Sequence, residues 1–94
     1  MIVMLTQDLS KGFAPWKEMY LENKDQLNSL GAKLIFAGPH KDDNNKMMVL
    51  MEFDSPESMK AFAGHEELRA KRAAAGAILE SNVVTVMGDE SFTE

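Results

Sequence analysis

The segment Lys46–Phe53 most constrains the fold, because it has the length of a β-strand and is apolar on both of its faces. Successive side chains of a strand point to opposite sides. One face carries Met47, Val49, Met51 and Phe53, and the other carries Met48 and Leu50. Both faces of the sheet must therefore be covered. Two helix-like segments can cover one of them, and we expect a second copy of the chain to cover the other.

The length and composition indicate one small globular domain. Ninety-four residues with 45% hydrophobic content and no linker-like stretch predict a single domain over 1–94, in which 88–94 form an acidic tail. The absence of cysteine excludes disulfides, thiolate nucleophiles and cysteine-based metal sites. A formal charge of −5 provides no basic surface for nucleic acid, so we expect no nucleic-acid partner.

No apolar run is long enough for a membrane span, and Met1–Leu5 is too short for the apolar core of a signal peptide. We therefore expect a cytoplasmic protein with no membrane partner.

The first third of the chain predicts a strand followed by an amphipathic helix. Residues 2–8 have the pattern of a strand, and Pro15 suits the first turn of a helix because its missing N–H would have no partner there. Gly31 suits the left-handed residue that ends many helices. The apolar stripe of this helix is Trp16, Met19, Tyr20, Asn23, Leu27 and Leu30.

The middle of the chain predicts a β-hairpin. A second strand over 32–37 is closed by Gly38 and Pro39, and the polar, turn-prone residues 40–45 lead into the third strand at 46–53. Two strands joined in this way run antiparallel.

The remaining segments predict a second helix and a fourth strand. Ser55, Pro56 and Glu57 combine a capping residue, a proline at the first helical position and an early acidic residue, so the helix begins at about Pro56. Its apolar phase changes after Ala63, which predicts a kink or interruption at Gly64. The fourth strand is predicted over 82–87.

The order strand, helix, strand, strand, helix, strand predicts an α+β fold. It is the ferredoxin-like βαββαβ arrangement, a four-stranded antiparallel sheet with two helices on one face. We also expect right-handed crossovers to bring the first and third strands together as parallel neighbours in its centre. The uncovered face would carry about eight apolar side chains, more than a monomer usually exposes. At roughly 1.5 kcal/mol each, their burial contributes on the order of 10 kcal/mol per subunit, which predicts a face-to-face homodimer.

This order of elements, the doubly apolar strands and the Ser55-Pro56-Glu57 helix start followed by Phe62 resemble the dimeric α+β barrel superfamily. In that superfamily two such sheets close into one barrel, and its members include cofactor-independent antibiotic-biosynthesis-type monooxygenases and muconolactone-isomerase-like and chlorite-dismutase-like proteins. The resemblance covers residues 2–87. Its quinone-forming monooxygenases use an Asn and a Trp in the subunit cavity, and this chain has Trp16 and Asn23 on one helical stripe. No diagnostic catalytic motif accompanies the pattern, so the resemblance implies the fold more than an activity.

Polar side chains on the sheet-facing stripe of the first helix are the candidates for a ligand site. A tyrosine hydroxyl and an asparagine amide can orient one polar group of a ligand in an apolar pocket, although aromatic residues also lie at core edges with their polar tips in water. Arg69 and Arg72 could hold a ligand carboxylate at a pocket rim, or could form a solvated face with Glu66 and Glu67. The predicted ligand-binding set is Trp16, Tyr20, Asn23, Phe36, Met51 and Arg69.

Three residues are candidates for proton transfer. His40 lies near Asp42 and Asp43, which could orient its ring, and it could equally be a solvated loop residue. His65 lies beside the predicted helix break, where it faces a cavity or caps the helix. Glu52 interrupts an apolar strand and either forms an ion pair or acts as a base in a dry cavity. Two histidines 25 positions apart form no metal-ligand pattern, so we expect neither a metal nor a cofactor.

Together these patterns predict a homodimer that binds a hydrophobic small molecule in a pocket between the first helix and the sheet. The alternative is a cofactor-independent monooxygenase or isomerase that acts on an aromatic or lipid-like substrate. A third possibility is a purely structural or regulatory subunit without a ligand-sized cavity.

Overall fold

The computed structural model describes all residues, 1–94, and contains one four-stranded sheet and three helices. The elements are, in chain order, β1 (Ile2–Leu9), α1 (Phe13–Ser29), β2 (Ala32–His40), β3 (Asp43–Phe53), α2 (Pro56–Ala63), α3 (Glu66–Ala74) and β4 (Ala77–Val86). The strand order across the sheet is β2-β3-β1-β4. This is the predicted ferredoxin-like arrangement, in which the predicted second helix consists of two helices.

The two central strands are β1 and β3, as predicted, but they are antiparallel and the expectation of parallel neighbours was wrong. The crossover through α1 returns the chain so that β2 runs in the direction of β1. The hairpin then reverses it, so β3 runs opposite to β1. All three strand pairs of the sheet are consequently antiparallel.

The hairpin strands are longer than predicted. Instead of ending at residue 37, β2 continues through Gly38 and Pro39 to His40, and β3 begins at Asp43. Proline is tolerated there because β2 is an edge strand. No strand lies beyond its outer side, so an N–H on that side has no partner to lose. The connection is therefore a tight turn at residues 41–42 and not the longer loop 40–45.

The fourth strand begins at Ala77, five residues before the predicted start at 82. Its register with β1 shifts between Thr6 and Asp8, which pair with Val83 and Ile78. Residues 79–82 of β4 thus lie opposite the single residue Gln7 of β1 in an irregular bulge. The polar residues of the bulge break the apolar pattern, which explains why the sequence indicated only the second half of this strand.

The helix boundaries follow the predicted local signals closely. Ser55 caps α2 by accepting a hydrogen bond of 3.1 Å from the backbone N–H of Ser58, and Pro56 occupies the first turn. The predicted interruption is confirmed, since α2 ends at Ala63 with Gly64 as its C-cap. The Nδ1 atom of His65 then caps α3 by accepting from the N–H of Leu68 at 3.2 Å. Gly31 has the positive φ of 85° that the end of α1 requires. The start of α1 is Phe13, two residues before Pro15.

The helices pack on one face of the sheet, where the core lies. The main cluster joins the buried side of α1 and Leu68 of α3 to alternate residues of the strands. A smaller cluster of Val3, Ala32 and Phe53 packs against α2. Neither α1 nor the other helices have the length and hydropathy that a bilayer crossing requires.

The other face of the sheet has no helix on it and is rich in apolar side chains. Strand alternation and the observed register place these residues together on it: Ile2, Met4, Phe36, Met48, Leu50, Ile78, Val83 and Met87. We call this surface the open face. Phe36 and Val83 are more than half exposed there.

Candidate functional site

A cleft of about 750 Å³ lies between α1 and β2, on the helix side of the sheet. Ala32 and Ala37 of β2 form the floor of the cleft, and their small side chains leave space between the strand and α1 that larger residues would fill. Position also contributes, since β2 is an edge strand with no further strand beyond it. The residues of the cleft that the following paragraphs use are Phe13, Trp16, Lys17, Tyr20, Leu21, Lys24, Lys33, Leu34, Glu52 and Asp54.

Three aromatic rings of α1 form the wall of the cleft. Phe13, Trp16 and Tyr20 follow one another at helical spacing, so they lie along one side of the helix. The ring centroids of Phe13 and Trp16 are 5.8 Å apart and those of Trp16 and Tyr20 are 5.9 Å apart, with interplanar angles of 22° and 13°. Nearly parallel rings at this spacing present a continuous aromatic surface, which we call the aromatic ladder.

The aromatic ladder carries two polar atoms. The Nε1 atom of Trp16 is buried and has no hydrogen-bond partner in the chain. Burial raises the pKa of Tyr20, and a backbone hydrogen bond with Leu34 partly offsets this rise. Tyr20 is therefore a neutral hydroxyl at physiological pH.

Charged side chains surround the rim of the cleft. Lys17 and Lys24 lie on α1, and Lys33 lies at the start of β2. Two carboxylates, Glu52 and Asp54, lie at the end of the cleft near Gly31, where α1 finishes and β2 begins. These charged residues are all exposed.

Trp16 and Tyr20 line this cleft, whereas Asn23 does not, although the sequence predicted all three together. The Asn23 amide nitrogen donates to the carbonyl of Met19 at 2.8 Å, and its oxygen accepts from Nζ of Lys71 at 2.9 Å. Asn23 thus joins α1 to α3 and borders a second, smaller cleft of about 500 Å³ between these helices.

The other predicted ligand residues lie apart from the cleft. Phe36 is on the open face, opposite Leu50. Met51 is half-buried on the helix side of β3 and packs against the core. Arg69 is exposed on α3.

Of the predicted proton-transfer residues, Glu52 borders the cleft and the two histidines do not; the register pairs Glu52 with Ile2, so its side chain leaves β3 on the side of the open face. His40 is exposed at the hairpin, where its backbone lies opposite that of Asp43 in the strand register. His65 is engaged as the cap of α3, and its Nε2 atom lies 3.5 Å from Nε2 of Gln26. The structure brings together no group of three His, Asp or Glu side chains of the kind that holds a metal ion.

Phe13 and Gln7 were missed by sequence reasoning. Phe13 lies three residues before Trp16, so helical spacing could have added it to the stripe if the helix had been started before Pro15. Gln7 is 3% exposed on the helix side of β1, its Nε2 donates to the sulfur of Met47 at 3.3 Å, and its Oε1 has no partner. The alternation of Val3, Leu5 and Leu9 already placed Gln7 on the apolar face of β1, so the sequence could have indicated a buried polar side chain there.

Solved structures with the same arrangement identify the fold. A Nitrosomonas europaea protein assigned by name to the antibiotic biosynthesis monooxygenases superimposes with a TM-score of 0.67 at 13% identity, covering 96% of this chain and 98% of that one. The chain shares the ferredoxin-like α+β fold of these structures. A Streptomyces coelicolor monooxygenase in complex with the ligand nanaomycin D shares this fold with a TM-score of 0.63 at 13% identity, covering 99% and 89%. No protein-family model and no curated protein sequence matches the chain.

A third similar structure is a Burkholderia xenovorans NIPSNAP domain protein, with a TM-score of 0.54 at 17% identity and coverage of 99% and 100%. Proteins with different names thus share this architecture with the chain over nearly its full length. At such identities the likeness establishes the fold, and the function has to be argued from the cleft itself.

Proposed function

We propose that the protein is a homodimer that binds a hydrophobic, ring-containing small molecule in the cleft between α1 and β2. One observation carries the proposal: three stacked aromatic rings line a cleft of about 750 Å³. The proposal keeps the cytoplasmic location that the sequence predicts.

The size and lining of the cleft suit such a ligand. Small-molecule sites usually have volumes of roughly 300–1,000 Å³ and apolar walls with a few polar groups. A flat molecule laid against Trp16 and Tyr20 gains both apolar burial and offset ring stacking, the latter worth about 0.5–1.5 kcal/mol for each ring pair.

The open face supports a second copy of the chain as the partner. Its apolar side chains come from all four strands, and no element of the same chain covers them. Two such faces are both apolar, so stacking one on the other removes their exposed side chains from water. Light scattering is then expected to give twice the mass of 10.5 kDa.

The alternative enzymatic function rests on Glu52. It is the predicted proton-transfer residue at the rim of the cleft, so a cofactor-independent monooxygenase or isomerase would use it as the base. The fold of the nanaomycin-bound monooxygenase is compatible with this alternative. Oxygen uptake or isomerisation of a bound quinol, abolished in Glu52→Gln with binding retained, would establish turnover over simple binding.

Intrinsic fluorescence tests the binding proposal directly, because Trp16 is the single tryptophan and lies in the cleft wall. We expect saturable quenching by at least one member of a panel of quinones, quinols and fatty acids. Ala37→Met fills the cleft floor and should weaken that binding tenfold or more. Ala70→Met makes the same change on the exposed side of α3 and serves as the control.

Two results would contradict the proposal. One is the absence of saturable quenching and of any thermal shift across the whole panel. The other is an affinity that Ala37→Met leaves equal to that of Ala70→Met, since the ligand would then occupy another part of the molecule.

A further inference from the structure

We infer that the cleft selects molecules that join an apolar ring system to a single acidic group, and that Lys17 and Lys24 hold that group. The inference rests on the proposed function and adds the chemical class and orientation of the ligand.

Lys17 and Lys24 lie on the same side of α1 as the aromatic ladder. They are seven residues apart, two helical turns or about 10 Å along the axis, with Leu21 between them. No acidic residue lies three or four positions from either lysine, so neither has a partner on the helix. The ion pairs of the chain use other lysines, Lys46 with Asp8 and Lys71 with Glu67.

The acidic residues of the cleft occupy its opposite end. Glu52 and Asp54 lie where α1 ends and β2 begins, and Glu52 is the cross-strand neighbour of Lys33. Lys33 has a carboxylate as its cross-strand neighbour, although the two form no ion pair, whereas Lys17 lies beside Phe13 and Trp16, in the half of α1 that is farther from Gly31. The cleft thus has positive charge without an ion pair along α1, at Lys17 beside the aromatic ladder and at Lys24 seven residues further on, and its carboxylates lie at the Gly31 end.

This polarity determines both selection and orientation. The chain as a whole has a charge of −5, so its long-range field repels anions and a local cluster of cations has to supply the attraction. A ligand with its rings on the aromatic ladder can place its acidic group beside Lys17 and Lys24 at the rim. Its acidic group then lies away from the carboxylates at the Gly31 end. The reverse orientation would bring like charges together.

Calorimetric titration with 2-naphthoate and its uncharged isostere 2-naphthamide tests the inference. Both have the same rings and shape, so the charge alone separates them. We expect 2-naphthoate to bind the wild-type protein about tenfold more tightly, with an advantage that decreases as salt is added, because the lysines are exposed. The double variant Lys17→Gln, Lys24→Gln should bind the two compounds equally and leave 2-naphthamide affinity within about twofold.

Two further variants sharpen the result. Lys60→Gln removes an exposed lysine of α2 that lies outside the cleft, and it should retain the tenfold preference. Asp54→Asn should increase 2-naphthoate affinity by about two- to threefold without affecting 2-naphthamide, since it removes a like charge from the cleft.

The inference is overturned if 2-naphthamide binds as well as 2-naphthoate, or if the double variant keeps the full preference for the anion. In either case binding itself would stand and the proposed function would survive. If neither compound binds and the panel of quinones, quinols and fatty acids also gives no signal, both proposals fail.

Discussion

Leu50→Glu should convert the proposed dimer into a monomer, because Leu50 lies in the middle of the open face. It belongs to the central strand β3 and has Met4 of β1 on one side and Phe36 of β2 on the other. Its side chain points away from the helices, so the change leaves the core of the subunit intact. In a face-to-face dimer the substitution occurs twice in the same interface.

The expected loss follows from the burial of this side chain. Complete burial of a leucine is worth roughly 1.5–3 kcal/mol, and since Leu50 is already half-buried in the subunit, association adds about 1 kcal/mol. Removing a carboxylate from water without a partner costs several kcal/mol, of which about 2–3 kcal/mol is a cautious figure. The two copies together lose about 6–8 kcal/mol, which corresponds to a dissociation constant more than about 10⁴-fold weaker.

Light scattering coupled to gel filtration measures the outcome at micromolar protein. The wild-type protein should elute at twice 10.5 kDa and Leu50→Glu at 10.5 kDa, with an unchanged circular dichroism spectrum. Leu21→Glu is the matched control, since Leu21 is 59% exposed on the helix side of the molecule and its variant should remain a dimer. Leu50→Ala, which adds no charge, should weaken the dimer by about thirtyfold. A dimeric Leu50→Glu, or a monomeric wild-type protein, would refute this explanation of the open face.

Three further predictions concern the subunit itself. Because burial raises the pKa of Tyr20, the single tyrosine, its absorbance titration should have a midpoint above the unfolded value of 10.0. The stability that the neutral hydroxyl contributes should be complete below pH 10.0 and decrease as the pH rises through the pKa of the folded state. Urea unfolding of Tyr20→Phe should lack this decrease. His65→Ala should lower the free energy of unfolding by about 0.5–2 kcal/mol by removing the cap of α3, whereas His65→Asn should largely retain it, and an equal loss in both would exclude capping. Gly31→Ala should cost roughly 1–3 kcal/mol in thermal unfolding, since φ is 85° and a Cβ atom would approach Oγ of Ser58 to 2.6 Å; Gly88→Ala, with nothing within 4 Å, should be neutral.

The features of the fold that sequence analysis predicted correctly depend on short-range rules. The cap at Ser55, the helix end at Gly31 and the break at Gly64 each follow from the preferences of a few neighbouring residues. The doubly apolar strand at 46–53 indicated its central position because burial on both sides is a property of the segment itself.

The features that sequence analysis missed depend on residues far apart in the chain. The early start of β4 is defined by its pairing with β1, about seventy positions away, and the bulge there has no local signature that distinguishes it from a loop. Helical spacing placed Trp16, Tyr20 and Asn23 on one stripe, which is correct. The contact between Asn23 and Lys71 turns that amide away from the cleft, and nothing near Asn23 in the sequence indicates it.

The irregular outer strands have a consequence for assembly. β2 is interrupted by an extra residue at Ile35 and by Pro39. β4 is interrupted by the irregular bulge before Val83. A regular outer strand would offer a continuous row of amides and carbonyls to any passing chain, and interruptions of this kind shorten that row. Edge-to-edge growth into fibres is thereby disfavoured at both outer strands, even though the sheet exposes many apolar side chains.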